Sequence, residues 1–275
     1  MAQHGSPPGP LPANPLPRAR RFALPNGLPV YLVPSHELPV VTAGLILRAG
    51  SAADPIRLPG LAGFSAAMID EGTTKRDAMA IARDLELAGA TLFTGSSRDD
   101  TYVGFQSLAR NAGTAMDILS DIVLDPAFPL HEIDRVRSHR ITALRQLKDS
   151  PFRTASRVMF ASLYGADHPY GHIVLGTEDA LARTSRDDLL RFYRDAYSPT
   201  AAALVLAGDL TEDAATALAT RAFGAWSGSG EARRHRATAR RRPSGCSSST
   251  GRGAPRAHCW SRSPAWRDPT RTSRT

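Results

Sequence analysis

Cysteine is nearly absent from this chain, and its two cysteines, Cys246 and Cys259, both lie close to the carboxyl end. The rest of the sequence therefore has no thiol for a disulfide, a thiolate metal site or a cysteine nucleophile. No apolar run reaches the roughly 18 to 20 residues that a transmembrane helix needs, so the sequence predicts no membrane span. The Pro-rich N-terminus also lacks the apolar core of a signal peptide. The cytoplasm is therefore the default location, and the periplasm stays open if the start codon is misassigned.

An excess of positive charge is found only near the carboxyl end. The whole chain carries a formal net charge of +8 at pH 7. The segment 231–275 contains twelve arginines and two acidic residues, which leaves 22 basic and 24 acidic residues before it. A nearly neutral main body offers nucleic acid no basic face to bind. We therefore expect no nucleic-acid partner.

The hydrophobic pattern divides the chain into three parts. Residues 1–18 form a Pro-rich leader that we expect to be disordered, and residues 19–228 carry the periodic patterns of one folded domain. Residues 229–275 are rich in Arg, Ser and Pro and show no period of 2 or 3.6 residues. Such a segment buries too little apolar surface to offset its ordering entropy. We expect this tail to be disordered, or to be the product of a shifted reading frame in GC-rich DNA.

Strand signals stand at four places in the domain. Asn26-Gly27 lies between two alternating segments and is typical of a β-hairpin, because both residues tolerate positive φ. The segments 40–51 and 201–210 are apolar enough to predict buried strands, the first of them buried on both faces. Two further strands are predicted on either side of Asp99-Asp100. The domain therefore contains at least six predicted strands.

Helical spacing fills the remaining segments. Asp77 is a predicted N-cap and Gly89 the matching C-terminal stop of one helix. One further helix is predicted where apolar positions from Ala115 to Val123 fall on one helix face, and Pro126 and Pro129 end it. Others are predicted around 130–147 and 152–164, after a capping box at Ser185 and Asp188, and after Thr211. Strands and helices in this order predict an α+β fold, with a mainly antiparallel sheet and helices packed on one face.

Six segments occur in an order that identifies a family resemblance. They are FALPNGLPVYLVPSHELPVVTAGLILRAGSAADP, GLAGFSAAMIDEGTTKR, LELAGATL, PAFPLHEIDRVR, HPYGHIVLGT and YSPTAAALVLAGDL. Together they resemble the pitrilysin/insulinase superfamily of zinc metallopeptidases, which includes the mitochondrial processing peptidases. The resemblance covers about residues 20–226. It implies that the domain is the first domain of a two-domain unit.

The resemblance also shows which chemical groups this chain lacks. Active members carry an inverted zinc motif, H-x-x-E-H, whose His residues bind zinc and whose Glu polarises the attacking water, with a second Glu ligand roughly 75 to 80 residues later. Here the two His positions are Gly63 and Ala67, and the Glu position is Ala66. Alignment places the second Glu ligand, the distal position, at Thr142 or Ala143. Counting residues from the helix motif allows a position as far along as Leu144. The resemblance therefore implies no catalytic residue, metal or cofactor in this chain, with zinc only in an active partner.

No other constellation replaces the missing motif. His131-Glu132 begins a predicted helix, but an H-E-x-x-H site would need a histidine where Arg135 stands. His168 and His172 are four residues apart, yet a Pro-Tyr-Gly sequence lies between them. We therefore expect a structural turn there, with exposed imidazoles.

Three functional hypotheses follow from this pattern. The first is a catalytically inactive homologue that acts as the non-catalytic partner of a related zinc-bearing peptidase subunit, with peptide substrate in a shared chamber. The second is an active zinc metalloendopeptidase with a disguised site, which conflicts with the missing ligands. The third is a truncated, non-functional remnant.

Overall fold

The computed structural model of the chain describes residues 18–165 and 168–228. The predicted tail 229–275 lies outside these residues, as does the predicted leader 1–18 apart from Arg18. Within the described residues, no helix is long and apolar enough to cross a membrane.

Six strands form one sheet in the order β1-β2-β6-β3-β5-β4. Their bounds are Arg20–Ala23 (β1), Pro29–Pro34 (β2), Val40–Leu47 (β3), Thr91–Ser96 (β4), Thr101–Leu108 (β5) and Ala202–Gly208 (β6). All neighbouring strands run antiparallel except β2 and β6, which are parallel. The predicted mainly antiparallel sheet is therefore confirmed.

Eight α-helices accompany this sheet among the described residues. They are Leu61–Met68 (α1), Ala78–Leu87 (α2), Ala112–Leu124 (α3), Leu130–Lys148 (α4), Pro151–Tyr164 (α5), Glu178–Arg183 (α6), Arg186–Ala196 (α7) and Glu212–Phe223 (α8). The sequence does not predict α6, because six residues are too short for a clear helical period.

The predicted helix ends are confirmed where a side chain caps the backbone. Asp77 accepts a hydrogen bond from the Ala80 N–H at the start of α2. Ser185 and Asp188 form a full capping box at the start of α7. Gly89 follows α2 with a φ of +58°, a conformation that glycine adopts without steric cost. Local sequence therefore fixes where these helices begin and end.

The prediction that segment 40–51 is buried on both faces is wrong. Along β3, buried residues alternate with half-buried or exposed ones, and Ile46 is 42% exposed. The helices pack on one face of the sheet, and the opposite face carries exposed side chains such as Ile46 and its cross-strand neighbour Tyr102. This confirms the predicted packing of helices on one face.

The core lies between the helices and the covered face of the sheet. Strands β2, β3, β5 and β6 contribute alternate buried side chains, and α1, α3, α7 and α8 contribute the facing layer. Helix α1 packs against β4, β5, α4 and α7. It therefore lies at the centre of the domain, and this position determines what its side chains can do.

Candidate functional site

Helix α1 carries the three motif positions on a helix that is buried almost all round. Seven of its eight residues are buried. Gly63 and Ala66 are among them, and Ala67 is half-buried. A helix so enclosed is stabilised by packing, so its retention does not require a catalytic role. The structure therefore brings Gly63, Ala66 and Ala67 together on one short helix.

A carboxylate closes the N-terminus of α1. Asp54 accepts hydrogen bonds from the backbone N–H groups of Gly60 and Ala62, each at 2.7 Å. These groups would otherwise lack an intrahelical partner, and the positive end of the helix dipole favours a carboxylate there. Gly60 has a φ of +97°, and a Cβ at this position would lie 2.7 Å from the Cα of Gly176. Only glycine fits this entry to the helix.

A guanidinium from α4 lies directly beside the first motif position. Arg140 Nη1 donates a hydrogen bond to the carbonyl oxygen of Gly63 at 2.8 Å, and Nη2 donates to the Val174 carbonyl at 3.4 Å. The guanidinium carbon is 5.8 Å from the centroid of the Phe64 ring. Arg140 therefore connects α4, α1 and the segment before α6.

Burial shifts the pKa values of both charged groups near α1. Burial raises the pKa of Asp54 to about 7. The backbone hydrogen bonds from Ala62 and Gly60 and the positive charge of Arg140 act in the opposite direction and lower this pKa. Burial lowers the pKa of Arg140 to about 10, and the charge of Asp54 opposes that change. Arg140 therefore keeps its positive charge at neutral pH, whereas the carboxyl group of Asp54 titrates near neutral pH.

The distal position lies on α4, and its two candidate residues face different ways. Thr142 is exposed, and its hydroxyl donates to the Ser138 carbonyl at 2.9 Å. Ala143 is half-buried and lies one turn after Arg140, on the same side of the helix. The structure therefore does not bring Thr142 together with the motif positions of α1, whereas Ala143 lies on the stripe that faces them.

The residues at this site do not fit a zinc ion. Gly63, Ala66 and Ala67 have no side-chain atom that can coordinate a metal. In the part of the chain that the structure describes, no group of three or more His, Cys, Asp and Glu side chains is placed to hold a metal ion. The cation next to Gly63 is a guanidinium, which offers only donors.

The turn around His168 and His172 is confirmed, but its imidazoles are not exposed. Pro169–Gly171 is one turn of 3-10 helix, and both histidines are half-buried. The His168 ring stacks on Tyr164 with 5.1 Å between ring centroids, and its Nδ1 accepts from the Tyr170 N–H. Packing against α5 explains this burial, which the sequence pattern does not indicate.

Comparison with known families identifies the family to which this fold belongs. The family model described as Insulinase (Peptidase family M16) matches residues 30–173, just over half of the chain. The chain belongs to peptidase family M16. A second model, described as Peptidase M16 inactive domain, matches residues 183–257. The M16 assignment confirms the resemblance that the six sequence segments indicate.

Curated M16 relatives include proteins named as peptidases and a protein named as a non-peptidase. The chain is 24% identical over 193 residues to the uncharacterized zinc protease YmxG of Bacillus subtilis, which covers 70% of this chain and 47% of that protein. It is 26% identical over 186 residues to the non-peptidase homolog YmxG of Helicobacter pylori, which covers 68% of this chain and 43% of that protein. The chain thus spans less than half the length of these two relatives.

A solved M16 structure has the same fold. The crystal structure of a peptidase M16 inactive domain from Pseudomonas fluorescens aligns with a TM-score of 0.71 and 29% identity. The alignment covers 74% of this chain and 50% of that one. The described domain therefore corresponds to about half of a solved chain of this family.

Two residues of the site are not predicted from the sequence. Arg140 reaches Gly63 across 77 positions of the chain, and Asp54 caps a helix that begins seven residues later. An arginine on a predicted helix is ordinarily solvated, and an Asp before a Pro ordinarily marks a turn. The sequence therefore contained no signal for either role.

Proposed function

We propose that this chain is the non-catalytic partner of a related, zinc-bearing M16 peptidase subunit and that it contacts the peptide substrate without cleaving it. The observation that carries the proposal is α1. It is buried on almost all sides and capped by Asp54, while none of its motif positions has a metal ligand or a base. A helix that packs in the core but has no catalytic group suits a subunit that contributes structure, and not chemistry, to a shared site.

Strand β4 gives such a subunit a means of contacting peptide. Within the described residues β4 pairs only with β5, so its other edge is free of strand partners. The hairpin closes with a 2.7 Å hydrogen bond from the Ser97 N–H to the Asp100 carbonyl. Ser97 and Asp100 are thus a hydrogen-bonded pair, and such pairs alternate with non-hydrogen-bonded pairs along an antiparallel ladder. The N–H and C=O groups of Leu92, Thr94 and Ser96 therefore point away from β5.

An extended peptide adds readily to an edge of this kind through main-chain hydrogen bonds. Helix α1, which carries the motif positions, packs against β4. A peptide bound there would be placed next to α1, where this chain has no group to attack it. The arrangement of these two elements supports peptide contact without cleavage.

The proposal is tested by reconstitution with a purified M16 subunit from the same genome that has an intact H-x-x-E-H helix. A fluorogenic peptide is offered to each subunit alone and to the mixture, with and without a zinc chelator. We expect no chelator-sensitive cleavage by this chain alone, and faster cleavage by the mixture than by the partner alone. Zinc-dependent cleavage by the purified chain would overturn the proposal, and so would a mixture no faster than the partner alone.

Substitution of Thr94 tests the peptide edge. Thr94→Pro removes one outward N–H and leaves the β5 ladder intact, because proline is tolerated on the free side of an edge strand. Loss of one main-chain hydrogen bond, worth about 1 to 2 kcal/mol, should slow cleavage by the mixture about 5- to 30-fold. The matched control, Thr94→Val, keeps the N–H and should behave like the parent chain. Equal rates for both variants would show that peptide does not use this edge.

A further inference from the structure

We propose that Arg140 occupies the space of the first zinc ligand, so that this chain excludes zinc whichever ligands α1 carries. The guanidinium then replaces the metal as the link between α1, α4 and the segment before α6. This inference uses the assignment of Gly63 to the first ligand position. It does not depend on the proposed partner role, so a result that overturns one proposal leaves the other unaffected.

The backbone around Gly63 shows that the space is filled. A Cβ built on Gly63 would lie 2.8 Å from Arg140 Nη2 and 2.7 Å from the Val174 carbonyl oxygen. Nη2 is the end of a long side chain, whereas the Val174 carbonyl is backbone, so a side chain at position 63 requires the guanidinium to move and the Val174 segment to shift. An imidazole at position 63 would extend from the same Cβ, so the guanidinium would have to leave this space before the ring entered it. The glycine at this position is thus matched to the arginine on α4.

The contacts of Arg140 show what keeps the guanidinium in place. It donates to two backbone carbonyls from separate segments and lies near the face of the Phe64 ring. Guanidinium is more weakly hydrated than ammonium and stacks on aromatic faces, so it tolerates such a site better than lysine would. Asp54, at the N-terminus of α1, supplies the opposite charge. Arg140 Nε is buried without a hydrogen-bond partner in the described structure.

The charge of Arg140 opposes zinc binding, as does its volume. A guanidinium has five donors, no acceptor and no accessible neutral form at physiological pH, so it cannot become a metal ligand. A divalent cation beside it would meet a like charge in a poorly solvated site, which is unfavourable. Zinc binding at this position would therefore require Arg140 to leave, in addition to the return of the ligands.

Restoration of the ligands in the full-length chain tests this inference directly. One variant combines Gly63→His, Ala66→Glu, Ala67→His and Ala143→Glu, and a second adds Arg140→Ala. Both are dialysed against buffered zinc, and bound zinc is measured by elemental analysis. We expect almost no zinc in the first variant and clearly more in the second, in which only the Val174 carbonyl still crowds position 63. Two His and one Glu are three ligands, and a catalytic zinc site leaves its fourth position open.

Two results would overturn the inference. Stoichiometric zinc in the variant that keeps Arg140 would show that the guanidinium is no barrier. Absence of zinc from both variants, with a native circular dichroism spectrum, would show that Arg140 is not what excludes it. A third variant carries Thr142→Glu in place of Ala143→Glu in the Arg140→Ala background. It should bind zinc more weakly, because position 142 faces solvent.

A smaller change tests the same contact if the restored variants fold poorly. Gly63→Ala adds only a methyl group, and its effect on the unfolding temperature is measured with Arg140 present and with Arg140→Ala. We expect a drop of several degrees with Arg140 and a smaller drop without it. Part of the drop should persist, because the Val174 carbonyl contact remains. Equal drops in the two backgrounds would show that Gly63 and Arg140 are not coupled.

Discussion

Helices α1 and α5 both pack against α4, yet they differ sharply in burial. Seven of the eight residues of α1 are buried, whereas none of the fourteen residues of α5 is. The helix that carries Gly63, Ala66 and Ala67 is thus a central packing element of the fold, because the sheet, α4 and α7 all pack on it. Loss of catalytic side chains is compatible with the fold when the replacements are small and apolar. Changes to the packing residues of the same helix are not.

The largest expected effect compares one phenylalanine from each helix. Phe64 of α1 is fully buried, while Phe152 of α5 is 83% exposed. Phe64→Ala should lower the free energy of unfolding by about 3 to 5 kcal/mol, because it leaves a cavity in the core. Phe152→Ala should change that free energy by less than about 0.5 kcal/mol. Urea unfolding of both variants measures this difference, and similar losses would contradict the contrast between the helices.

An intermediate effect concerns the pH dependence of stability at the cap of α1. Burial raises the pKa of Asp54 to about 7 from its ordinary value of 3.8, so at pH values between these two the folded state holds a proton that the unfolded state has released. The contribution of Asp54 to stability is therefore full below about pH 4 and is lost as the pH rises towards 7. Asp70, whose pKa burial raises to about 6, acts in the same direction.

The variant Asp54→Asn isolates this contribution. One titrating proton corresponds to a slope of at most about 1.4 kcal/mol per pH unit in the free energy of unfolding, and the variant should lose part of that slope between about pH 4 and pH 7. The control is Glu178→Gln on α6, because hydrogen bonds from Lys148 and Arg145 lower the pKa of Glu178. Its stabilising effect is present at neutral pH and lost on acidification, so this variant should flatten the curve only at lower pH. Unchanged slopes in Asp54→Asn from pH 4 to pH 7 would show that Asp54 does not titrate there.

The smallest expected effect is a difference in local opening between the two helices. Backbone amides protected by buried packing exchange only in large openings, whereas amides of a helix with exposed side chains exchange in local ones. We expect deuterium uptake to be faster in peptides from α5 than in peptides from α1 at the same pH and temperature. Helix α3, which is also largely buried, serves as a second reference. Slower exchange in α5 than in α1 would mean that α5 gains its protection from contacts outside the described domain.

Local signals in the sequence predict most of the elements, and their failures have identifiable causes. Helix caps such as Asp77 and Ser185 act over three or four residues, so the residues that form them are visible in the sequence itself. Strand β3 is predicted to be buried on both faces because its apolar residues run almost without interruption. Only the position of the helices decides that one of its faces stays open. The parallel pairing of β2 with β6 joins segments more than 170 residues apart, and no local pattern specifies it.

The sequence by itself determined the family, most of the elements and the absence of metal-binding side chains at Gly63, Ala66 and Ala67, because these are properties of residue type and spacing. Only the tertiary structure decided which groups lie beside these positions. Arg140 reaches Gly63 because α4 packs across α1, and Asp54 caps α1 because the chain turns back at Gly60. Residue type fixes which chemistry is available, whereas packing between distant segments fixes which groups meet.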